Sequence, residues 1–208
     1  MKTSAAILAL LAITLGATGQ RFEAIHAGLG IAAVVLSAIN ALKSRVALIA
    51  VALGLAECVF RGEIVHACIA PVFFTACVAA ALWKPPRIGR LVLLPFLITC
   101  QIALGAAYRH KAFGVMPHLA GALVTAGVLL VFCTIVLQRP GQSAPTRSAA
   151  AATLGTVLLQ VSLGIAIFVM RLLDVDTGPS FALLAAAHIT VGALTLAAAT
   201  VLALRGFS

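Results

Sequence analysis

Eight apolar runs follow one another along this chain with only short polar breaks between them, at roughly 3–19, 23–42, 45–61, 63–83, 90–108, 116–137, 149–173 and 180–204. A membrane-spanning helix needs about 20 apolar residues, with a range of roughly 17–25. Most of the runs qualify, and the first and third sit at the short limit. Of the 208 residues 63% are hydrophobic and 9% charged, where a soluble domain carries roughly 25% charged residues. A core of this size cannot hide so much apolar surface from water. The expected fold is all-α and integral to a membrane, with eight transmembrane helices.

The formal charge of +9 does not point to nucleic acid, because the basic residues are scattered singly or in twos and threes between the apolar runs. Five cysteines, Cys58, Cys68, Cys77, Cys100 and Cys133, fall inside those runs with no CxxC pair or zinc spacing and read as packing residues. The start of the chain, Met1-Lys2 followed by an apolar stretch and Ala17-Thr18-Gly19, resembles a secretory signal. Its removal would leave an odd number of spans, so it is expected to be a retained first helix.

Most connectors are a few residues long, which makes neighbouring helices antiparallel. The longest are Gln138–Arg147 and Leu173–Ser180. With eight spans, Lys2, Lys43, Arg45, Lys84, Arg87, Arg90, Arg139, Arg147 and Arg205 share the side of the amino terminus. Arg21, Arg61, Arg109, Lys111 and Arg171 lie on the other, with all five acids, Glu23, Glu57, Glu63, Asp174 and Asp176. Nine bases against five place both termini in the cytoplasm by the positive-inside rule, in a multi-pass protein of the cytoplasmic (inner) membrane.

A pattern repeats every two helices. Each odd run carries a Leu-Gly step (Leu15-Gly16, Leu53-Gly54, Leu104-Gly105, Leu163-Gly164) and each even run a histidine near its outer end: His26, His66, His118 and His188. Four residues after each histidine, on the same helix face, comes a small residue: Gly30, Ala70, Ala122 or Gly192. The first two histidines follow a glutamate by three positions, Glu23 and Glu63, where the second two follow Val115 and Ala185. The second half instead shares Gln101-Ile-Ala-Leu-Gly and Gln160-Val-Ser-Leu-Gly. Duplication of a four-helix unit explains this, dividing the chain into halves 1–86 and 87–208.

Ionisable groups inside spans are costly and functional by default. A single histidine is explained well enough by a hydrogen bond to a neighbouring carbonyl; four at equivalent positions are not. Zinc wants several clustered ligands, and a proton path wants polar groups in series through the membrane, whereas these gather at one depth. Haem suits the pattern best, since one iron takes two axial imidazoles from facing helices. Arg21, Arg61, Arg109 and Arg171, all at the outer edge, have the geometry to pair with propionates, or serve as interfacial anchors. His110 matches no repeat position and reads as interfacial; Met116 and Met170 read as apolar fillers.

The arrangement resembles the haem A synthase family over nearly the whole chain. The matching residues are His26 in Phe22-Glu-Ala-Ile-His, His66 in Glu-Ile-Val-His, His118 in Met116-Pro-His-Leu-Ala-Gly-Ala-Leu and His188 in Ala187-His-Ile-Thr-Val-Gly-Ala-Leu. Gln101-Ile-Ala-Leu-Gly-Ala-Ala-Tyr-Arg is similar to the family's fifth helix. The resemblance implies two similar four-helix bundles. It implies a b-type haem held by His118 and His188; Arg109 and Arg171, the edge arginines of the same half, are the propionate candidates there. It also implies a substrate haem O held by His26 and His66, whose C8 methyl is oxidised to give haem A, with Glu23 relaying protons. Implied partners are a haem O synthase, the terminal oxidase under assembly and an electron donor.

The chain departs from the family in its first outer loop, usually long, Thr-Arg-rich and bearing a tryptophan and often a cysteine pair. Here that loop is about Gly19–Phe22, and the only tryptophan, Trp83, ends the fourth run. The alternative is therefore a non-catalytic dihaem b-type cytochrome or an oxidase-assembly haem-binding protein. A transporter is the third reading, and Pro71 and Pro95 kink one helix each at most.

Overall fold

The computed structural model describes residues 2–18, 22–42, 45–60, 63–82 and 92–205. Among these there are eight helices and no strand: α1 (Lys2–Ala17), α2 (Glu23–Ala41), α3 (Arg45–Val59), α4 (Ile64–Leu82), α5 (Leu93–Arg109), α6 (Val115–Gln138), α7 (Ala144–Leu172) and α8 (Pro179–Arg205). Arg21, Arg61 and Trp83 lie outside the described residues.

Helix ends follow local chemistry. α7 starts at Ala144, five residues before its apolar run, because Ser143 caps it. The Ser143 side chain accepts from the Thr146 amide at 3.3 Å, and Pro145 sits in the first turn, where its missing N–H costs nothing. α4 continues through Pro71, and Thr75 donates its hydroxyl to the Pro71 carbonyl at 2.8 Å.

Five helices, α2, α4, α6, α7 and α8, are long and apolar enough to cross a membrane; α1, α3 and α5 are apolar but shorter. At 1.5 Å per residue the 29 residues of α7 reach about 43 Å and the 15 of α3 about 22 Å, against a hydrocarbon core of about 30 Å. The burial pattern is that of a protein in lipid. Leu123 and Leu183 are 79% and 70% exposed, while the buried set is dominated by alanines such as Ala33, Ala50, Ala150, Ala193 and Ala199. Small residues inside let helices approach closely, and large ones face outward because hydrocarbon exerts no penalty on them.

The helices close two circuits. α1 packs on α2, α2 on α3, α3 on α4 and α4 back on α1; α5, α6, α7 and α8 do the same. Between the circuits α8 packs on α1 and α4, and α5 on α4. One apolar core lies within α5–α8, around Leu94, Leu129, Val136 and Leu202. The other lies within α1–α4, around Ala9, Phe73 and Cys77, and takes in Ala193 and Ala197 of α8. The packing role expected of the cysteines holds for two of them: all five are free, Cys77 and Cys133 are buried, Cys68 is half-buried, and Cys58 and Cys100 are exposed.

At the seam the Thr14 and Thr190 hydroxyls hydrogen-bond at 3.1 Å. A double-mutant cycle of Thr14→Val and Thr190→Val, followed by denaturing-detergent unfolding, should return a coupling of about 0.6 kcal/mol, the average for interhelical hydrogen bonds in a membrane. A coupling of zero would mean that the contact contributes nothing to holding the seam.

Candidate functional site

The four repeat histidines meet in two pairs. His26 of α2 faces His66 of α4 with ring centres 5.8 Å apart and planes at 84°. His118 of α6 faces His188 of α8 at 6.4 Å and 81°. All four are half-buried. The even helices lie across each circuit from one another, which is why helices that are not chain neighbours supply the two rings.

The Leu-Gly steps make the slots. A methyl group on Gly16 would lie 2.7 Å from His26 Nδ1. One on Gly105 would lie 2.9 Å from His118 Cε1, and one on Gly164 3.2 Å from His188 Cε1. On α1, α5 and α7, then, the glycine is where the next helix's imidazole rests. Gly54 differs: its neighbours are the side chains of Val34 and Phe73, not His66. The small residues one turn beyond the histidines also divide. Gly30 has open space beside it, whereas Gly192 lies against the Gln160 amide; Gly121, rather than Ala122, makes room for Gln101 and Leu104.

Each imidazole is anchored through a ring nitrogen, and the two pairs use different anchors. His26 Nδ1 lies 2.8 Å from the Ala12 carbonyl and His66 Nδ1 lies 3.3 Å from the Glu57 carbonyl. A carbonyl only accepts, so each of these nitrogens carries the proton. That is the bond expected of an isolated structural histidine. It is equally the bond that orients a metal-binding one and directs its Nε2 lone pair to the ligand. In the second half the anchors are the two repeat glutamines. The Gln101 amide nitrogen lies 2.9 Å from His118 Nδ1 and 2.9 Å from the His118 carbonyl. The Gln160 amide nitrogen lies 3.1 Å from His188 Nε2. Three buried polar atoms here have no partner: Gln101 Oε1, Gln160 Oε1 and His188 Nδ1. A buried orphan costs about 1–3 kcal/mol, so a ligand that satisfied it would be favoured.

The charged candidates lie around the pairs rather than between them. Glu23 is exposed in the first turn of α2, where a carboxylate suits the positive end of the helix dipole. Glu63, just ahead of α4, is exposed too, as are Arg109 and His110 at the end of α5. Arg171 is held by its surroundings. It donates to the Tyr108 hydroxyl at 2.5 Å and stacks over the Tyr108 and Phe181 rings. Asp176 lies 4.0 Å away. The Arg171 guanidinium thus ties the end of α5, the end of α7 and the start of α8 together.

Among the described residues no three of His, Cys, Asp or Glu converge on a point that could hold a metal ion. What each pair offers is two imidazoles. A metal held between two imidazoles at about 2 Å from each nitrogen puts the ring centres roughly 6 Å apart, close to both spacings. Two donors are too few for a bare zinc ion, which takes four ligands. They are enough for an iron whose remaining ligands arrive with it in a porphyrin. In donor number alone, each pair matches the two axial positions of such an iron.

No family model, no curated protein and no solved structure matches this chain.

Sequence reasoning had both glutamines and all four glycines in view as repeat marks but did not assign them to the histidines. The signal was their spacing: glutamine four residues before glycine on α5 and α7, one helix face, aimed at the next helix's histidine. Its counterparts on α1 and α3 are Ala12 and Ala50, and there the α1 backbone itself takes the proton of His26.

Proposed function

We propose that this chain is a multi-pass membrane haem protein of the haem A synthase type. The pairing carries the reading: four histidines from four helices, equivalent in a repeat, meet as two facing pairs at a spacing that suits one metal each. In this reading all eight helices cross the bilayer, the short ones by local thinning of the membrane. The two circuits are two similar four-helix bundles, 1–86 and 87–208. Both termini are cytoplasmic and the histidines lie toward the outer face.

His118 and His188 hold a b-type haem and His26 and His66 the substrate haem O, whose C8 methyl becomes the aldehyde of haem A. A bound haem iron would supply one-electron chemistry; with water as the oxygen source, oxidising a methyl to an aldehyde releases four protons and four electrons, the electrons passing through the b-type haem to an external one-electron acceptor. The chain's own residues bind, orient and move protons. Nδ1–H bonds to the Ala12 and Glu57 carbonyls fix the rings of His26 and His66 and make them better electron donors. Gly16 keeps the His26 ring against α1. Glu23, one turn before His26 and open to water, takes up the protons released. Arg109 is free to meet a propionate at the outer edge, and Arg171 stiffens that edge.

The second reading is a dihaem cytochrome or oxidase-assembly protein without porphyrin chemistry. It is favoured by the exposure of Glu23, and by the His26 anchor being a backbone carbonyl rather than a carboxylate.

Purification in mild detergent with pyridine haemochromogen assay, after co-expression with a haem O source, tests both. The enzyme should carry two haems and convert haem O. Glu23→Gln should keep both haems and lose conversion by about 10²–10⁴-fold, the usual worth of a general acid or base. Haem B alone with haem O unconverted leaves the cytochrome, and a protein that takes up no haem sinks both readings.

A further inference from the structure

A slot runs along the outside of the second half between α5 and α6. Leu97, Gln101 and Leu104 share one face of α5, and Ala120, Val124 and Thr125 one face of α6; between them lies a space of about 290 Å³. That is close to the lower end of the range for small-molecule sites, about 300 Å³. Val124 is 61% exposed, and Cys100 and Ala120 on the rim are exposed too, so the slot opens sideways from the helices. Its wall includes Gln101, whose amide lies 2.9 Å from His118 Nδ1.

The slot holds a polar group without a partner. Thr125 is 8% exposed, and its hydroxyl has no hydrogen-bond partner among the described residues. Three other buried threonines turn back on the carbonyl four residues earlier: Thr75 on Pro71, Thr153 on Ala149 and Thr195 on Val191, each at 2.8 Å. Thr195, seven residues after His188, is the repeat counterpart of Thr125, seven after His118. In the first half those positions are Ala33 and Phe73. Of the four, only Thr125 has a hydroxyl left to bond a ligand.

Depth selects the occupant. Thr125 is the eleventh of the 24 residues of α6, at least about 15 Å from either helix end. In a helix that crosses the bilayer, a phospholipid headgroup does not reach that depth, and an acyl chain offers a hydroxyl nothing. A quinone suits both features: its ring is flat, its carbonyl accepts a hydrogen bond, and its isoprenoid tail stays in the lipid. We propose that the α5–α6 slot docks the ring of a lipid-soluble quinone, with Thr125 donating to a ring carbonyl. The ring then lies beside Gln101, and so beside the histidine pair from which the electrons of the proposed oxidation leave. With this acceptor that oxidation balances. One methyl, one water and two quinones give one aldehyde and two quinols, and the four electrons and four protons lost by the first are those gained by the second. The acceptor role rests on the proposed function; the docking does not.

The test starts without haem. An azido derivative of decylubiquinone, photolysed with the full-length protein in phospholipid nanodiscs, should label α5 and α6 saturably, with decylubiquinone competing. Thr125→Val, which keeps the shape without the hydroxyl, should weaken competition by roughly threefold to tenfold, and Thr125→Ser should restore it. Ala120→Leu, which fills the slot from its exposed rim, should abolish the labelling without changing thermal unfolding. In haem-loaded, dithionite-reduced protein, decylubiquinone should reoxidise the haem of the His118–His188 pair first, and Ala120→Leu should slow this at least tenfold.

Labelling spread evenly over the helices, or indifferent to Ala120→Leu, overturns the site. So does a second copy in the slot, seen as cross-linking through Cys100 that Ala120→Leu abolishes while no quinone label appears. Reoxidation at an unchanged rate in Ala120→Leu overturns the acceptor role. If the slot is labelled as stated and no haem is taken up, the docking site stands and the haem reading falls.

Discussion

Gly16→Ala is expected to weaken haem binding at the His26–His66 pair by roughly 10–100-fold, the range for disturbing the groups that orient a metal-binding histidine, and to leave the other pair unchanged. The added methyl group would stand 2.7 Å from His26 Nδ1 and 2.8 Å from Cε1, inside van der Waals contact. It would therefore displace the ring from the Ala12 carbonyl that orients it. The same substitution elsewhere should be graded by the space available. Gly105→Ala meets His118 at 2.9 Å and should disturb the His118–His188 pair strongly. Gly164→Ala meets His188 at 3.2 Å, where a shift of a few tenths of an ångström relieves the contact, and should act least.

Gly54→Ala is the internal control for this series. Its methyl would strike Val34 and Phe73 instead of a histidine, so overpacking should cost about 1–3 kcal/mol of stability with haem affinity retained. Haemin binding and thermal unfolding measured on the four variants in one detergent separate the two effects. If Gly54→Ala loses haem as readily as Gly16→Ala, the glycines serve helix packing alone and the slots have no functional meaning.

These glycines show where the sequence was readable. The apolar runs locate the helices to within a few residues because hydrophobicity is a local property; the five-residue extension of α7 came from the Ser143 cap, a signal present in the sequence and outranked by the run's polar start. The repeat of Leu-Gly and His was equally legible. What it could not supply was which residue touches which. The Gln101–His118 and Gln160–His188 contacts span 17 and 28 residues, and a periodic pattern fixes only the face of a helix, not the neighbour across from it. Arg171 fails to read as structural for the same reason. Asp176 is close in sequence, but Tyr108, which takes its hydrogen bond, is 63 residues away. Glu57 is a sharper case, because its backbone carbonyl does the bonding, and no sequence pattern marks a carbonyl as an acceptor for a particular ring.

Removing the histidines should give the largest effect of all, and its arithmetic tests the pairing itself. His118→Ala and His188→Ala are each expected to abolish the same haem, leaving one per chain. The double variant should lose no more than either single one, because an iron that needs both axial imidazoles is lost when the first goes. His26→Ala and His66→Ala should behave likewise at the other site. Across pairs the losses should add, so that His26→Ala with His118→Ala leaves the protein without haem. Substitutions that act on one contact are strongly non-additive, whereas those on independent sites sum. The ring spacings of 5.8 and 6.4 Å within pairs make this pattern specific. Haem per chain and the bis-imidazole spectrum of the remaining site would be read for all four singles and for each double. Loss of a single haem by His26→Ala with His188→Ala, or of both by His118→Ala alone, would mean that the histidines are grouped differently from the pairs seen here.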